Sequence, residues 1–319
     1  MPVFRHRIAI DRLRQSTPLV TLVLLMALVG ALQPSFLTPE ALLQLAGDTA
    51  TLFVLACGSS FVIMLGGIDL SIQAMASLAS VIVALTIDQL GYGSFVFAVA
   101  VGALSGALAG LAHVKLKIPS FIATLAIGGV LAGAALVISH EHSITLDERQ
   151  REYLAWITGT SFGIPHEIFI GLVVLLLAHL VQGRTRFGRY SAAIGAGEAA
   201  AFASGVKVDR QKIVAFTLSS GFAGLAGVIL AGRLASGSPT LANELLLPAI
   251  AAVVVGGTAI TGGVGSIGRT MIGALIISVV RIGMTFIGVD IFAQQIVFGV
   301  MLVLAVAVTI DRSKIPIVK

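Results

Sequence analysis

Residues 49–87 read TATLFVLACGSSFVIMLGGIDLSIQAMASLASVIVALTI, and this stretch decides the fold class. Two long apolar runs are separated only by the segment Gly66–Ser71, whose sequence is GGIDLS. A helix needs about 20 apolar residues to cross the ~30 Å hydrocarbon core of a bilayer. A glycine pair permits a tight turn, and an ionised side chain near a bilayer is costly enough to mark a functional candidate. The stretch therefore predicts two membrane helices joined by a short turn that carries Asp69.

The composition extends this prediction to the whole chain. Of its 319 residues, 57% are hydrophobic and 11% are charged, whereas soluble domains carry about 25% charged residues. The composition excludes a soluble globular protein, and the alternating pattern of an outer-membrane barrel is absent. We predict an all-α, polytopic transmembrane helical bundle, with residues 1–319 as a single transmembrane domain. About ten membrane segments are predicted, at residues 18–36, 43–65, 69–89, 92–113, 119–139, 164–182, 212–232, 245–257, 267–288 and 291–310.

The order of these segments suggests an internal repeat. Segments two to five and seven to ten are separated by one segment, and an odd separation inverts the second set relative to the first. This is the arrangement of inverted-repeat transporters, so we expect an inverted-repeat core. The eighth segment is short and carries Pro248 near its start, so it is a candidate for a broken or re-entrant helix.

The distribution of charge predicts the orientation. With ten segments both termini lie on one side, and most cationic residues fall on that side: Arg5, Arg7, Arg12, Arg14, Lys115, Lys117, Arg184, Arg186, Arg189, Lys207, Arg210, Lys212, Arg269, Arg312, Lys314 and Lys319. By the positive-inside rule, both termini are cytoplasmic. The net charge of +5 and the pI near 9.7 therefore report topology and proximity to anionic lipid rather than a nucleic-acid surface.

Two connections are longer than tight turns. Residues about 140–163 form an extracytoplasmic loop, and residues about 183–211 form a cytoplasmic loop. Within the cytoplasmic loop, Gly197–Gly205 reads GEAAAFASG, which is typical of a short amphipathic helix with a glycine at its C-terminus. Small side chains on one face suit docking into a groove of a partner protein. The alternative is an interfacial helix that lies on lipid.

Several motifs resemble those of one known family. They are GGIDLS at 66–71, IPSFIATL at 118–125, RTRFGR at 184–189 with AIG at 193–195 and EAA at 198–200, AIAAVVVGGT at 249–258, and QQIV at 294–297. Together they resemble the membrane permease subunit of ribose-type (monosaccharide) bacterial ABC importers. Three features depart from the family pattern. Ala196-Gly197 stands where Asn-Pro is frequent, Gln73-Ala74 replaces a usual Gly-Ser, and the spacing from Glu198-Ala199-Ala200 to Gly205 is one residue longer than in the general importer EAA loop.

This resemblance implies a multi-pass protein of the bacterial inner membrane and a set of partners. The implied partners are an ATP-binding cassette subunit, a periplasmic sugar-binding protein, a second permease copy or homologue, and a sugar. The 183–211 loop then resembles the coupling loop that contacts the ATPase, and the resemblance assigns that role to Glu198, Ala199, Ala200 and Gly205.

No nucleotide, metal or cofactor site is expected in this chain. Gly263-x-Gly265-x-x-Gly268 matches a dinucleotide fingerprint, but membrane helices surround it instead of a βαβ unit. No lysine follows these glycines as a phosphate-binding loop requires, so ATP hydrolysis is expected in a separate subunit and this chain is not an enzyme. The segment is interpreted as a tight cytoplasmic turn between closely packed helices. Cys57 is the only cysteine, which excludes a cysteine-based metal site within the chain.

A sugar path needs hydrogen-bonding groups with few charges. The candidates are Asp69, Ser71, Gln73, Thr124, Asn243, Arg281, Gln294 and Gln295, with Asp48 and Glu244 nearby. For each of them the alternative is a hydrogen bond between helices, and Asp69 and Ser71 could instead cap the third helix. Arg281 lies inside a span, so it is expected to pair with an acid, and Asp290 follows nine residues later.

Two other function classes fit the sequence less well than an importer permease. An intramembrane hydrolase would need paired acids, but Asp48 and Asp69 lie roughly 30 Å apart at about 1.5 Å per residue. An ion-coupled secondary transporter could use membrane acids, but it gives no role to the long basic cytoplasmic loop. The resemblance therefore favours a permease subunit of an ATP-driven importer for a monosaccharide or similar small polyol, with an ion-coupled secondary transporter as the alternative.

Overall fold

The structure is a computed structural model that describes the backbone of residues 2–309 and the side chains of residues 17–290 and 292–307. The arginines at the N-terminus, and Arg312, Lys314 and Lys319, which contributed to the predicted orientation, lie outside the described side chains. The described helices are α1 Pro2–Leu32, α2 Pro39–Met64, α3 Ile72–Leu90, α4 Gly93–Lys115, α5 Ser120–Ser139, α6 Glu148–Glu152, α7 Ala155–Thr158, α8 His166–Arg184, α9 Arg186–Ala196, α10 Glu198–Ala203, α11 Val208–Leu234, α12 Leu246–Val255, α13 Ile267–Phe286 and α14 Ile291–Thr309.

Each predicted apolar segment coincides with one of these helices. Within the described residues, seven helices are long and apolar enough to cross a membrane: α2, α3, α4, α5, α8, α11 and α13. Three shorter apolar stretches lie at 17–32, 243–255 and 292–307. The all-α, polytopic membrane architecture is therefore confirmed.

Local sequence fixes where the first helices end. Helix α1 stops at Leu32, four residues before the predicted end at 36, because Pro34 begins a separate 3-10 turn over Pro34–Leu37. Thr38 then caps α2, accepting a hydrogen bond from the backbone N–H of Ala41 at 3.4 Å. At the other end of α2, Gly66 adopts a φ of +79°, which favours glycine.

Helix α11 lies at the centre of the bundle and packs against α2, α3 and α4. Its contact with α4 depends on glycines at four-residue spacing, which allow two helices to approach closely. A Cβ at Gly106 would lie 2.1 Å from the carbonyl oxygen of Phe216, and one at Gly102 would lie 2.4 Å from that of Ser220. Backbone therefore packs directly on backbone along this interface.

Helix α12 is short, as its sequence indicated. Its ten residues extend about 15 Å at 1.5 Å per residue, half of the hydrocarbon core. Residues 248–254 are all buried, and irregular backbone follows the helix at 256–266. Such backbone is tolerated at membrane depth where protein surrounds it.

The 140–163 and 183–211 segments lie at opposite ends of α8, and they define what are here termed the outer face and the inner face. The outer segment contains α6 and α7, and its two short strands each join a small antiparallel pair. Strand β1 (Ile144–Thr145) pairs with β4 (Ser236–Gly237), and β2 (Thr160–Ser161) pairs with β3 (Ile164–Pro165). The first pair fastens the outer segment to the connection that follows α11.

Candidate functional site

The Gly66–Ser71 turn is held to α5 by side-chain hydrogen bonds. The backbone N–H of Ile68 donates to Ser120 Oγ at 3.1 Å, and the N–H of Leu70 donates to Thr124 Oγ1 at 3.0 Å. Thr124 is fully buried and its hydroxyl also donates to the carbonyl of Ser120 at 2.9 Å. Thr124, predicted as a path residue, thus fastens the turn to α5.

Asp69 lies inside the protein, with 2% of its surface exposed. Its Oδ1 accepts hydrogen bonds from the backbone N–H of Ser71 at 3.0 Å and from Ser71 Oγ at 2.6 Å. The carboxylate also faces the hydroxyls of Ser219 and Ser220 on α11. Ser71 is the N-cap residue of α3 but makes no side-chain capping bond. Asp69 therefore organises the turn just before α3 and places it against α11.

The other candidate path residues lie near the outer face, apart from Gln73, which is half-buried in the first turn of α3. Gln294 is buried and donates to Thr285 Oγ1 at 3.1 Å. Gln295 donates to the carbonyl and the carboxylate of Glu244, next to the exposed Asn243. The structure thus separates the predicted residues into an inner group around Asp69 and an outer group around Gln294.

Four charged side chains from four helices form what is here termed the outer charge cluster: Asp48, Glu167, Arg233 and Arg281. One oxygen of Asp48 pairs with Arg233, and the other lies 3.4 Å from Arg281 Nη2. Arg233 Nε lies 3.4 Å from Glu167 Oε1. The cluster contains two positive and two negative charges, so it is balanced.

Two sequence expectations are corrected here. Arg281 pairs with Asp48 and not with Asp290, because α2 packs against α13 and brings Asp48 beside it. Arg233 lies in the last turn of α11, which extends to Leu234, two residues beyond the predicted segment 212–232. Glu167 was not selected from the sequence, although an acid in the first turn of an apolar helix is a recognisable signal.

The predicted coupling loop is mostly helical. Helix α9, which the sequence did not predict, precedes the short Ala-rich helix α10. Ala199, Ala200 and Ala203 are exposed on α10. Gly205 ends the helix with a φ of +81°, and the N–H of Val206 donates back to the carbonyl of Ala201 at 3.1 Å. The small residues are therefore available to a partner.

Glu198 and Lys212 fasten this helix to the bundle. Both carboxylate oxygens of Glu198 accept from Lys212 Nζ at 2.8 Å. A cavity of about 360 Å³ lies behind the ion pair, between α10 and the Gly66–Ser71 turn, and its walls include Gly67, Ser120 and Phe216. The Gly66–Ser71 turn thus lies across this cavity from the predicted coupling loop.

Comparisons with known proteins identify the family. The family model described as "Branched-chain amino acid transport system / permease component" matches residues 41–306. The chain is 35% identical over 306 residues to the ribose import permease protein RbsC of Escherichia coli K12, covering 95% of each chain. It is 38% identical over 315 residues to RbsC of Bacillus subtilis 168, covering 97% of each. The L-arabinose transport system permease protein AraH of E. coli K12 is 34% identical over 265 residues, which is 82% of this chain and 79% of AraH. The chain therefore belongs to this permease family, and the predicted resemblance to ribose-type importer permeases is confirmed.

Proposed function

We propose that this chain is the membrane permease subunit of an ATP-driven bacterial importer for a monosaccharide or a similar small polyol. The observation that carries the proposal is similarity along almost the whole chain to permeases named for ribose and arabinose. The chain performs no bond chemistry, and a separate ATP-binding cassette subunit hydrolyses ATP. A periplasmic binding protein delivers the sugar. The ion-coupled alternative is not favoured by these relatives.

Contact with the ATPase subunit is proposed at α10. Its exposed Ala199, Ala200 and Ala203 leave room for a partner's groove to approach the helix backbone. Glu198 pairs with Lys212 of α11. We therefore propose that Glu198 holds α10, the docking helix, against α11. Gly205 ends the helix and turns the chain back toward the membrane.

A ten-span topology with an inverted-repeat core is also proposed, with both termini in the cytoplasm and the protein in the inner membrane. Helix lengths agree within three residues in three of the four helix pairs of this repeat: 26 and 27 for α2 and α11, 23 and 20 for α4 and α13, and 20 and 19 for α5 and α14. The fourth pair, α3 and α12, differs, with 19 and 10 residues. In this topology the outer face is periplasmic and the inner face is cytoplasmic. The lipid contact is supplied by the exposed apolar side chains of helices such as α8.

A second permease copy is proposed to pack on α5. Gly129 and Gly133 lie on an exposed face of this helix, and a Cβ at either position would meet no atom within 4 Å. Small residues at four-residue spacing allow close approach of another membrane helix. Leu125→Cys, one turn from Gly129, should form an intermolecular disulfide in a Cys57→Ser background, whereas the same cysteine at Leu176 on α8 should not.

Uptake into proteoliposomes tests the proposed function. The permease is reconstituted with its ATPase subunit, and labelled ribose or arabinose is supplied with a sugar-binding protein. We expect uptake to require internal ATP and the binding protein, and to continue when an ionophore abolishes ion gradients. Uptake driven by a proton or sodium gradient without ATP would assign the chain to the ion-coupled class.

A further inference from the structure

Three backbone segments meet at the inner face with no side chain between them. They are the end of α2 with its Gly66 turn, the end of α9 at Gly195, and the connection between α12 and α13 at Gly262-Gly263. The N–H of Gly263 donates to the carbonyl of Met64 at 3.0 Å. A backbone hydrogen bond thus joins the end of α2 to the connection that leads into α13.

Gly195 lies directly on this hydrogen bond. A Cβ at Gly195 would stand 2.1 Å from the Gly263 nitrogen and 2.1 Å from the Met64 oxygen. A Cβ at Gly262 would stand 2.7 Å from the Gly66 nitrogen and 3.0 Å from the Gly195 Cα. The contact therefore accepts no side chain at either position, and the segments touch through main-chain atoms.

Side-chain amides fix the surroundings of this contact. Gln182 of α8 donates to the carbonyl of Gly265 at 3.0 Å and accepts from the N–H of Ile267 at 2.9 Å. Gln211 of α11 donates to the carbonyl of Phe187 at 2.7 Å and to Ser191 Oγ at 3.0 Å. The first amide holds the start of α13 to α8, and the second holds α9 to α11.

We propose that Gly195 is a positioning residue for energy coupling, because it transmits displacement of α10 to α2 and α13 at the same time. This inference rests on the proposed function. Only Ala196 and Gly197 separate Gly195 from the start of α10. Direct contact between main chains leaves no flexible side chain to absorb a movement, and packed interiors shift between discrete arrangements rather than deforming continuously. A displacement of the docking helix therefore reaches both segments as one step.

Gly195→Ala is the test, and Gly183→Ala is its matched control. Gly183 lies near the end of α8, and a Cβ there would meet no atom within 4 Å. Sugar uptake and ATP hydrolysis are measured on the same proteoliposomes, with co-purification of the ATPase subunit. We expect Gly195→Ala to retain the ATPase but lose at least tenfold in sugar transported per ATP hydrolysed. Gly183→Ala should stay within twofold of the wild type.

The amount of sugar transported per ATP hydrolysed distinguishes this coupling role from a purely structural one. If Gly195 only stabilises the fold, uptake and hydrolysis should fall together with the yield of the complex, and their ratio should stay constant. A constant ratio would overturn the inference. Failure of the wild-type protein to show any ATP-dependent uptake would instead overturn the proposed function.

If Gly195→Ala does not fold, a cross-linking experiment tests whether the three segments move together. Cysteines replace the exposed Ala196 and Val264 in a Cys57→Ser background and are joined by a short bis-methanethiosulfonate reagent. If the three segments move as one body, the cross-linked transporter should keep at least half of its uptake. Loss of uptake that a reductant restores would show that the segments separate during transport, and would overturn the inference.

Discussion

Asp48→Asn removes the carboxylate that both arginines of the outer charge cluster share, and we expect it to destabilise the protein. At the 3.4 Å separation of Asp48 and Arg281, Coulomb's law gives about 5 kcal/mol of gross attraction at an effective dielectric constant of about 20. Desolvation of the partners offsets part of this attraction. Loss of one partner from a buried pair costs about 3–5 kcal/mol. The two arginine side chains are 23% and 28% exposed, so water screens part of the interaction. We therefore expect Asp48→Asn to lower the free energy of unfolding by about 3 kcal/mol, the lower end of that range.

Restoring charge balance should recover most of this loss. The double variant Asp48→Asn/Arg281→Gln leaves Glu167 opposite Arg233, so no cation is left without a counterion. We expect it to cost about 1 kcal/mol, so the second change recovers about 2 kcal/mol of the loss, and Arg281→Gln alone completes the double-mutant cycle. Glu141→Gln, an exposed neutralisation in the outer segment, should stay within about 0.5 kcal/mol of the wild type.

The buried thiol of Cys57 supplies the assay. It is the only cysteine and is fully buried, so a maleimide dye that fluoresces on reaction reports its exposure during thermal unfolding in detergent. At about 2 °C per kcal/mol for a chain of this size, Asp48→Asn should lower the apparent midpoint by about 6 °C. A double variant at least as unstable as Asp48→Asn would refute the charge-balance argument and leave the cluster as a set of independent contacts.

Three further predictions use the inner face and the topology. In a Cys57→Ser background, Ser143→Cys should react with an impermeant maleimide on intact cells, whereas Ser204→Cys should react only after permeabilisation; the opposite pattern would reverse the orientation. Asp69→Asn should keep at least half of wild-type uptake, because its amide oxygen can still accept both bonds from Ser71, whereas Asp69→Leu should lose uptake and lower the amount of protein in the membrane. If Asp69→Asn lost as much uptake as Asp69→Leu while its amount in the membrane stayed normal, transport would need the charge of Asp69. Ala200→Asp should weaken ATPase co-purification at least fivefold while the midpoint of unfolding stays within about 2 °C, as expected for an exposed surface change. Normal co-purification would leave α10 as a lipid-surface element.

The positions of the apolar helices could be predicted because their signal is local. Continuous apolar runs set the spans, and Gly66 marks an end that depends on the backbone of a single residue. The short helix α10 was also predicted, since its Ala-rich composition and its terminal glycine lie within nine residues. In each case the information lay in neighbouring residues of the chain.

The outer charge cluster could not be predicted because its pairs are distant in sequence. Asp48 and Arg233 are separated by 185 residues, and the distance along the chain favoured Asp290 for Arg281. Helix α9 escaped prediction because it is polar and short, and much of its anchoring comes from Gln211 on another helix. In the sequence, Gly195 looks like an ordinary glycine at a helix end. Its importance comes from the close packing of the Met64 and Gly263 backbones against it, which the sequence does not show.

Glycines that look alike in the sequence will differ in a saturation mutagenesis library. Gly102 and Gly106 repeat every four residues, as do Gly129 and Gly133. Alanine at the first pair collides with a carbonyl oxygen of the same chain, so selection for mere membrane insertion should already remove it. Alanine at the second pair meets nothing within the chain. If the second permease copy packs on α5 as proposed, selection for growth on the transported sugar should deplete it, and that difference would identify a surface used by another molecule.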